Sequence, residues 1–293
     1  MSDLSKHLDK VEVLLEALPY IKKFYGEKIV IKYGGSLASS EKSGGGGEGY
    51  RFARDLVLLK YIGAHPIVIH GGGKEITSWM EKIGKKAVFV DGLRYTDAES
   101  MEITEMVLSG KINNEIVNLI NQAGGNAVGL NGKSGKLVTA FQIHSKDGKD
   151  IGLVGDVEWV EPKVLNDLCD LGFIPVISPV SASSNGTTLN LNADMFAAAI
   201  AGAMHCKKLI FMTDVNGLRI DGNYLNNISL SEAESYLNHK DVQGGMIPKL
   251  ECCIRALRSG VQEVHMINGS INHSTLLELF TDAGVGTMIS KYN

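Results

Sequence analysis

The sequence predicts an α/β protein with a mainly parallel central sheet, and three observations support this prediction. Short runs of β-branched residues, such as residues 29–31 and 66–69, alternate with longer segments of helical periodicity along most of the chain. Two of these runs end in glycine-rich loops, the first at Gly34 and the second at Gly71. The chain of 293 residues is long enough for one large α/β domain or for two lobes.

Composition narrows the classes of function and the expected location. The net charge of −4 indicates neither a polyanion-binding face nor an acidic tail, so nucleic acid is not an expected partner. Charged residues near the N-terminus argue against a targeting signal, and no apolar run is long enough to cross a membrane. The cysteines lack Cys-x-x-Cys spacing and are predicted to be buried thiols in a reducing cytoplasm. They are Cys169, Cys206, Cys252 and Cys253.

The first predicted element is an amphipathic helix over residues 4–18. Its apolar residues recur at helical spacing, and Pro19 predicts a break or kink where the pattern ends. Two interpretations stay open, because the helix could pack on its own domain or serve as a contact between subunits. The apolar residues that define the pattern are Leu4, Leu8, Val11, Leu15 and Leu18.

The first strand ends in the motif Lys32-Tyr33-Gly34-Gly35. Glycines at a strand end let backbone amides approach an anion, and the lysine adds the compact positive charge that phosphate oxygens need. An ordinary turn with a solvated lysine is the alternative. Residues 44–47 are four consecutive glycines without a following Lys-Ser or Lys-Thr, which predicts a surface loop of unknown role.

A predicted helix around Leu56 and a strand over residues 66–69 complete a right-handed βαβ unit with parallel strands. The second strand leads into His70-Gly71-Gly72-Gly73-Lys74, with a helix predicted over residues 75–83. Ligands of open α/β sheets bind where parallel strands end, and a helix N-terminus behind a glycine turn attracts anions. The two glycine loops therefore predict one phosphate-binding edge.

The middle of the chain contains one candidate substrate residue and one misleading motif. Residues 88–96 alternate like a hairpin that places Arg94 on a turn, where it is either solvated or free to grip a carboxylate. A long helix is predicted over residues 97–123, capped by Thr96 or Asp97. Residues 127–134 nearly spell a P-loop, but Ala127 replaces its first glycine and strand and turn follow, so no P-loop is predicted.

The second half repeats the βα alternation. A hairpin over residues 147–156, a helix over 162–171 and a strand over 173–177 precede a polar loop through Asn185. Asp194 then lies at the start of an alanine-rich helix over residues 195–204, where an N-cap role would explain it. Further elements are predicted as a strand at 207–214, a helix at 231–238, a helix from 249 to about 260, a strand at 264–269, a helix at 274–280 and a strand at 286–289.

Five motifs along the chain contain lysine, glycine, arginine or asparagine at strand ends or helix starts. They are Lys32-Tyr33-Gly34-Gly35, His70-Gly71-Gly72-Gly73, Leu93-Arg94, Asn190-Leu191-Asn192-Ala193-Asp194 and Gly244-Gly245-Met246-Ile247-Pro248-Lys249. Their order and spacing resemble the N-acetyl-L-glutamate kinases of the amino-acid kinase family along nearly the whole chain. Single motifs recur in carbamate kinase, aspartokinase and UMP kinase, but the pairing of Gly-Leu-Arg-x-Thr with Asn-x-Asn-Ala-Asp points to the acetylglutamate branch.

The resemblance implies a three-layer α/β/α sandwich with an N-terminal helix extension over residues 1–25. It implies an acyl-substrate lobe over residues 26–187 and an ATP lobe over residues 188–293. The implied activity is ATP-dependent phosphorylation of the side-chain carboxylate of N-acetyl-L-glutamate to N-acetyl-L-glutamyl 5-phosphate in arginine biosynthesis. ATP would act as its Mg²⁺ complex, and no resident metal is implied.

The resemblance also assigns roles to single residues. Lys32 and Lys249 would contact the transferring phosphoryl group from opposite sides, with Asp194 orienting both. The remaining implied contacts are Gly35 and Gly72 with the phosphoryl group, Gly72, Gly73, Arg94 and Asn190 with the acyl substrate, and Thr213 and Asp214 with nucleotide.

The arginine-sensitive members of the family share two further features with this chain. Their N-terminal helix links dimers into a hexamer, and their C-terminal pattern resembles residues 264–288. By that match His265 and Glu278 would bind the inhibitor L-arginine. A core histidine and a solvated glutamate are the alternative. Whether the chain forms a dimer or a hexamer, and whether it binds a PII-type signalling protein, stays open at this stage.

Two departures and two alternatives accompany the resemblance. The tetraglycine segment replaces an ordinary polar one, and Lys74 stands where the family commonly has proline. One alternative is another acyl or carbamoyl kinase, although carbamate has no α-carboxylate for Arg94 to hold. The other is an arginine-binding regulatory protein with a vestigial kinase site, which would be expected to have lost a lysine or Asp194.

Overall fold

The computed structural model describes residues 2–34, 47–282 and 284–291. The helices are α1 Ser2–Phe24, α2 Glu48–Tyr61, α3 Gly73–Lys82, α4 Ala98–Glu105, α5 Asn113–Gln122, α6 Lys163–Asp170, α7 Ala193–Ala203, α8 Leu230–Tyr236, α9 Met246–Arg258 and α10 Ser274–Phe280. A π-helix, Met106–Ile112, joins α4 to α5, and a 3₁₀ turn covers Ser134–Lys136.

The strands follow the predicted alternation, with several additions. They are β1 Lys28–Tyr33, β2 His65–His70, β3 Phe89–Val90, β4 Leu93–Arg94, β5 Ala127–Asn131, β6 Val138–His144, β7 Asp150–Val160, β8 Ile174–Ser178, β9 Val180–Ser183, β10 Thr188–Leu191, β11 Lys208–Thr213, β12 Arg219–Ile220, β13 Asn223–Tyr224, β14 Asn227–Ser229, β15 Glu263–Asn268 and β16 Gly286–Ser290.

The central sheet of the described chain has the strand order β14-β16-β15-β11-β1-β2-β8-β5. The six strands from β15 to β5 are parallel, and β16 runs antiparallel to β15. In the β1–β2 pair Tyr33 lies opposite His70, and the Gly71 N–H donates to the Tyr33 carbonyl at 3.2 Å. The two strand ends that lead into the glycine loops are therefore neighbours, as the sequence predicts.

Helices cover both faces of this sheet. Side chains of consecutive strand residues point to opposite faces, so Val30 enters one core while Ile29 and Ile31 enter the other. Helices α7 and α9 contribute to the core of Val30, and helices α2 and α5 to the opposite core. The predicted three-layer α/β/α arrangement is confirmed.

Strands β6, β7, β9 and β10 form a small closed barrel that the sequence did not reveal. The predicted hairpin over residues 147–156 is part of it, since β6 and β7 pair antiparallel on either side of residues 145–149. The predicted polar loop through Asn185 is only the short turn between β9 and β10. Strand β10 runs directly into α7, so the barrel positions the Asn190 to Asp194 motif.

The predicted helix over residues 97–123 is interrupted by the π-helix. Its N-cap is Asp97, whose carboxylate accepts from the Ser100 N–H at 2.8 Å. Of the two caps that the sequence predicted, Thr96 and Asp97, the second is confirmed. A π-helix is rare and has no simple sequence pattern, so the periodicity of apolar residues did not reveal this interruption. The P-loop-like segment forms β5 and the 3₁₀ turn, as predicted.

Helix α1 continues through Pro19 to Phe24, so Pro19 does not end it. Side chains beyond the proline anchor the last turns: the Tyr20 hydroxyl donates to Asp282 at 2.6 Å, and the Phe24 ring lies 5.8 Å from that of Phe280. In contrast, Leu8, Val11, Leu15 and Leu18 are exposed. Within the described ranges no helix combines the length and hydropathy needed to span a membrane.

Candidate active site

Two lysines from distant parts of the chain meet one carboxylate at the end of the parallel strands. Lys32 Nζ in β1 lies 2.7 Å from Asp194 Oδ1, and Lys249 Nζ in α9 lies 3.1 Å from Asp194 Oδ2. All three side chains are largely buried, with 12% of Lys32, 16% of Asp194 and 24% of Lys249 exposed. The group carries a net positive charge, which suits an anionic ligand.

Asp194 is free to pair with both lysines because its neighbour caps the helix. The Asn192 side chain accepts from the N–H of Asp194 at 2.9 Å and from that of Met195 at 3.1 Å. The N-cap interpretation of Asp194 is therefore wrong. Burial raises the pKa of the Asp194 carboxyl, but the adjacent charges of Lys32 and Lys249 outweigh it and hold that pKa below its usual value.

The second glycine loop packs closely against the π-helix. A Cβ atom added at Gly72 would lie 2.6 Å from Leu108 Cδ2 and still closer to Ile112 Cδ1, so only glycine fits there without displacing these side chains. The Gly72 carbonyl accepts from the Ile76 N–H at 2.9 Å and starts α3. Gly35, the predicted phosphoryl contact of the first loop, and Gly44, Gly45 and Gly46 of the tetraglycine segment lie outside the described residues.

Arg94 lies in strand β4, buried, and not on the turn where the sequence placed it. Its Nη2 donates to the Gly73 carbonyl and to Thr77 Oγ1, both at 2.8 Å. The guanidinium lies over the Phe89 ring, with Cζ 4.8 Å from the ring centroid. Burial lowers the pKa of Arg94, but an arginine remains charged in a protein. The side chain is thus held rigidly at the cavity wall.

Thr96 joins two predicted substrate residues, although the sequence indicated it only as a candidate helix cap and as the threonine of the Gly-Leu-Arg-x-Thr motif. Asn190 Nδ2 donates to Thr96 Oγ1 at 3.3 Å, and that hydroxyl donates to the Arg94 carbonyl at 2.8 Å. The signal was present, because Arg94 and Thr96 are two residues apart in an extended segment and share one face. Phe89 was also missed, since an exposed aromatic residue in a hairpin has no distinctive pattern.

A cavity of about 270 Å³ brings together six of the seven predicted catalytic and acyl-substrate residues. Lys249 lies outside its lining and reaches it through Asp194. Thr213 and Asp214 also lie outside it, at the end of β11, the strand next to β1. Thr213 is buried and donates to the Val215 carbonyl at 2.9 Å. The predicted residues that line the cavity are Lys32, Gly72, Gly73, Arg94, Asn190 and Asp194.

A second buried polar cluster contains the two predicted effector residues. His265 Nδ1 lies 2.6 Å from Glu278 Oε1, and His265 Nε2 lies 2.8 Å from Lys208 Nζ. Glu263 forms an ion pair with Lys208. Burial raises the pKa of Glu278, but the hydrogen bond and charge of His265 outweigh it and lower that pKa. Glu278 is buried, so it does not belong to a solvated helix face.

The cysteines and the P-loop-like segment lie outside the candidate site. All four cysteines are free and buried, as expected from their spacing. Lys133 of the P-loop-like segment pairs with Glu105, so its ammonium group already has an anionic partner within the chain. Neither feature contributes to the cavity described above.

The three-layer fold and the two-lysine site together define a phosphotransferase of the amino-acid kinase class. A model of the amino acid kinase family matches residues 27–268, and the chain belongs to that family. Within it the chain belongs to the acetylglutamate kinases, because relatives of that name match almost its whole length. The acetylglutamate kinase of Syntrophobacter fumaroxidans is 48% identical over 97% of each chain. That of Methanococcus maripaludis is 50% identical over 96% of this chain and 98% of its own.

Solved structures share the same fold. The N-acetylglutamate synthase from Neisseria gonorrhoeae, complexed with coenzyme A and N-acetyl-glutamate, aligns with a TM-score of 0.85 and 28% identity over 97% of this chain. The present chain spans 64% of that synthase. The same synthase complexed with coenzyme A and L-arginine aligns with a TM-score of 0.81. Carbamate kinase from Giardia, at 17% identity and a TM-score of 0.65, is similar in fold alone.

Proposed function

We propose that the chain transfers the γ-phosphoryl group of MgATP to the side-chain carboxylate of N-acetyl-L-glutamate, as a step of arginine biosynthesis. The observation that carries this proposal is the cavity that Lys32, Asp194 and Arg94 line together. A substrate with two carboxylates fits such a cavity, because one carboxylate can be held by Arg94 while the other reaches the lysines. The relatives named acetylglutamate kinase support the same choice of substrate.

The chemistry requires charge neutralisation more than proton transfer. A carboxylate is already a nucleophile at neutral pH, so no general base is needed. The repulsion between two anions and the charge spread over the moving phosphoryl oxygens must instead be balanced. We assign this role to Lys32 and Lys249, held apart and oriented by Asp194, with amide donors at Gly35 and Gly72. Lys32 and Lys249 approach Asp194 through different oxygens, so the two ammonium groups occupy separate positions around the reacting group.

We assign the acyl substrate to the lobe that contains β1 to β10, with contacts from Gly73, Arg94 and Asn190. The nucleotide is assigned to the C-terminal lobe, beside Thr213 and Asp214 at the end of β11. The predicted lobe boundary between residues 187 and 188 would separate β10 from the barrel. We therefore propose that it lies after Leu191, directly before α7.

A coupled assay of ADP release tests the substrate assignment. N-acetyl-L-glutamate should support turnover far better than L-glutamate, L-aspartate or carbamate at equal concentration. Greater turnover with carbamate would favour the carbamoyl-kinase alternative. The absence of turnover with all four, in a folded chain that binds L-arginine, would favour the regulatory alternative.

We further propose that L-arginine inhibits the enzyme and that α1 links dimers into a hexamer. Two contacts support a connection between the helix and the cluster of His265 and Glu278. Phe24 of α1 lies with its ring 5.7 Å from Lys208 Nζ, and Tyr20 bonds to Asp282 just beyond α10. The exposed apolar residues of α1 supply a surface that another subunit would cover. A cytoplasmic location and a PII-type partner stay predictions.

Deletion of residues 1–19 should produce an active, smaller oligomer that L-arginine inhibits poorly. The deletion removes the exposed apolar residues of α1 but keeps Tyr20 and Phe24, which pack against Phe280. Gel filtration and inhibition curves on the full chain and on the deletion measure both effects. Glu278→Gln is the matched control, since it should weaken inhibition without changing oligomer size. A deletion that stays hexameric and fully inhibited would contradict the proposal.

A further inference from the structure

A buried polar network supports the loop that contains Gly72. His70, the last residue of β2, is fully buried, and its Nδ1 lies 3.1 Å from the Gly71 carbonyl oxygen. Its Nε2 lies 3.1 Å from Nδ2 of Asn113, the first residue of α5. Neither residue lines the cavity. The network therefore acts on the site indirectly, through the loop.

The orientation of the Asn113 amide fixes the proton position on His70. Asn113 Nδ2 also lies 2.9 Å from the Val176 carbonyl and 3.3 Å from the Leu130 carbonyl, and two carbonyls can face only the donor nitrogen of the amide. The same nitrogen faces His70 Nε2, so its two hydrogens are shared among three acceptors, and a proton on Nε2 would point at another donor. Nε2 therefore carries no proton. The imidazole proton consequently lies on Nδ1 and is donated to the Gly71 carbonyl.

This hydrogen bond controls the direction of the next amide. The Gly71 carbonyl and the Gly72 N–H belong to the same planar trans peptide and point in opposite directions. Fixing the carbonyl toward His70 therefore points the Gly72 N–H away from the sheet interior. Glycine has no side chain to restrict rotation about its backbone bonds, so Gly71 and Gly72 need an external constraint.

We propose that His70 and Asn113 are positioning residues that orient the Gly72 amide toward the transferring phosphoryl group. The inference deepens the proposed function and rests on its assignment of Gly72 as a phosphoryl donor. A Gly72 N–H that already points at the phosphoryl group stabilises the transition state without any rearrangement of the loop during transfer. Burial lowers the pKa of His70 to about 4, so the imidazole is neutral, as acceptance from Asn113 requires.

A pair of substitutions separates the two nitrogens of His70. The amide nitrogen of asparagine can replace Nδ1, whereas glutamine reaches the position of Nε2 and leaves the Gly71 carbonyl without its donor. His70→Asn should keep kcat within about threefold. His70→Gln should lower kcat by on the order of tenfold to a hundredfold, less than the about 10²–10³-fold cost of removing an oriented donor, because the Gly72 N–H remains and only its direction is no longer fixed. KM for both substrates should change little in either variant.

Asn113 has a matched control in the adjacent residue. Asn113→Ala should lower kcat like His70→Gln, while Asn114→Ala should not, because Asn114 is exposed and its amide donates to the Gly110 carbonyl within the same helical segment. Circular dichroism of each variant establishes that it is folded. Equal losses of kcat in folded His70→Asn and His70→Gln, or losses confined to KM, would overturn the proposal.

The wild-type protein provides a readout that needs no variant and no activity. Nitrogen-15 NMR of labelled histidine should show the His70 proton on Nδ1, with the ring neutral from pH 8 to pH 5. A proton on Nε2, or a ring charged at pH 6, would overturn the proposal even if every variant failed to fold. Lack of turnover with N-acetyl-L-glutamate in the wild type would instead contradict the proposed function and leave the NMR result intact.

Discussion

Lys32→Ala and Lys249→Ala should each lower kcat by about 10²–10³-fold, with KM for ATP and for N-acetyl-L-glutamate changed only severalfold. The two ammonium groups share one buried carboxylate, at 2.7 Å and 3.1 Å. Under the proposed function they lie near the point where phosphoryl charge develops. During transfer the negative charge of the two anions is brought together and redistributed over the phosphoryl oxygens, so the lysines interact with it more strongly in the transition state than in either bound substrate. The loss should therefore fall on turnover and less on binding.

Steady-state kinetics with each substrate varied in turn measures the two effects separately. Lys82→Ala is the control, because it removes the same charge from an exposed position on α3 and should leave kcat unchanged. Thermal unfolding of all variants establishes that the losses are not losses of fold. A normal kcat with a raised KM in either Lys32→Ala or Lys249→Ala would remove that lysine from the proposed role.

Arg94→Lys should raise KM for N-acetyl-L-glutamate by about tenfold to a hundredfold, because a lysine cannot reproduce the two parallel hydrogen bonds of a guanidinium with a carboxylate. The substitution also loses the contacts of Arg94 with the Gly73 carbonyl, Thr77 and the Phe89 ring, which fix its direction. KM for ATP should change much less, since no nucleotide contact is assigned to this wall.

Phe89→Leu serves as the matched control for Arg94→Lys. It removes the ring under the guanidinium but keeps both charge and hydrogen bonds, and an exposed contact of this kind contributes only about 0.5–1 kcal/mol. KM for N-acetyl-L-glutamate should then rise only a few fold. An unchanged KM in Arg94→Lys would place the α-carboxylate elsewhere.

The alternation of β-branched runs with helical segments predicted the parallel sheet and placed the two glycine loops side by side at one edge of it. Lys32 and His70 could be placed at one edge because parallel strands end together, and this needs only the order of strands and crossovers. The pairing of Asp194 with Lys249 could not be derived locally, since 55 residues separate them. It was available only through the resemblance to a family.

The errors share a physical cause, which is that tertiary contacts decide between local alternatives. Asn192 and Asp194 are both good N-cap residues, and the lysines decide which of them caps α7. Arg94 is the second residue after the two-residue turn between β3 and β4. An arginine on that turn would be solvated, whereas two positions further along the chain it is buried. The barrel was missed because β9 and β10 are only four residues long, too short for a clear alternation.

Trapping of the product with hydroxylamine tests the central claim most directly. An acyl phosphate is attacked at its carbonyl carbon by hydroxylamine, which forms a hydroxamate and releases phosphate. With MgATP and N-acetyl-L-glutamate, the protein should form the side-chain hydroxamate of N-acetylglutamate in an amount equal to the ADP released. Release of ADP without hydroxamate, or hydroxamate formed from another acid in preference, would contradict the assignment of this chain's substrate and reaction.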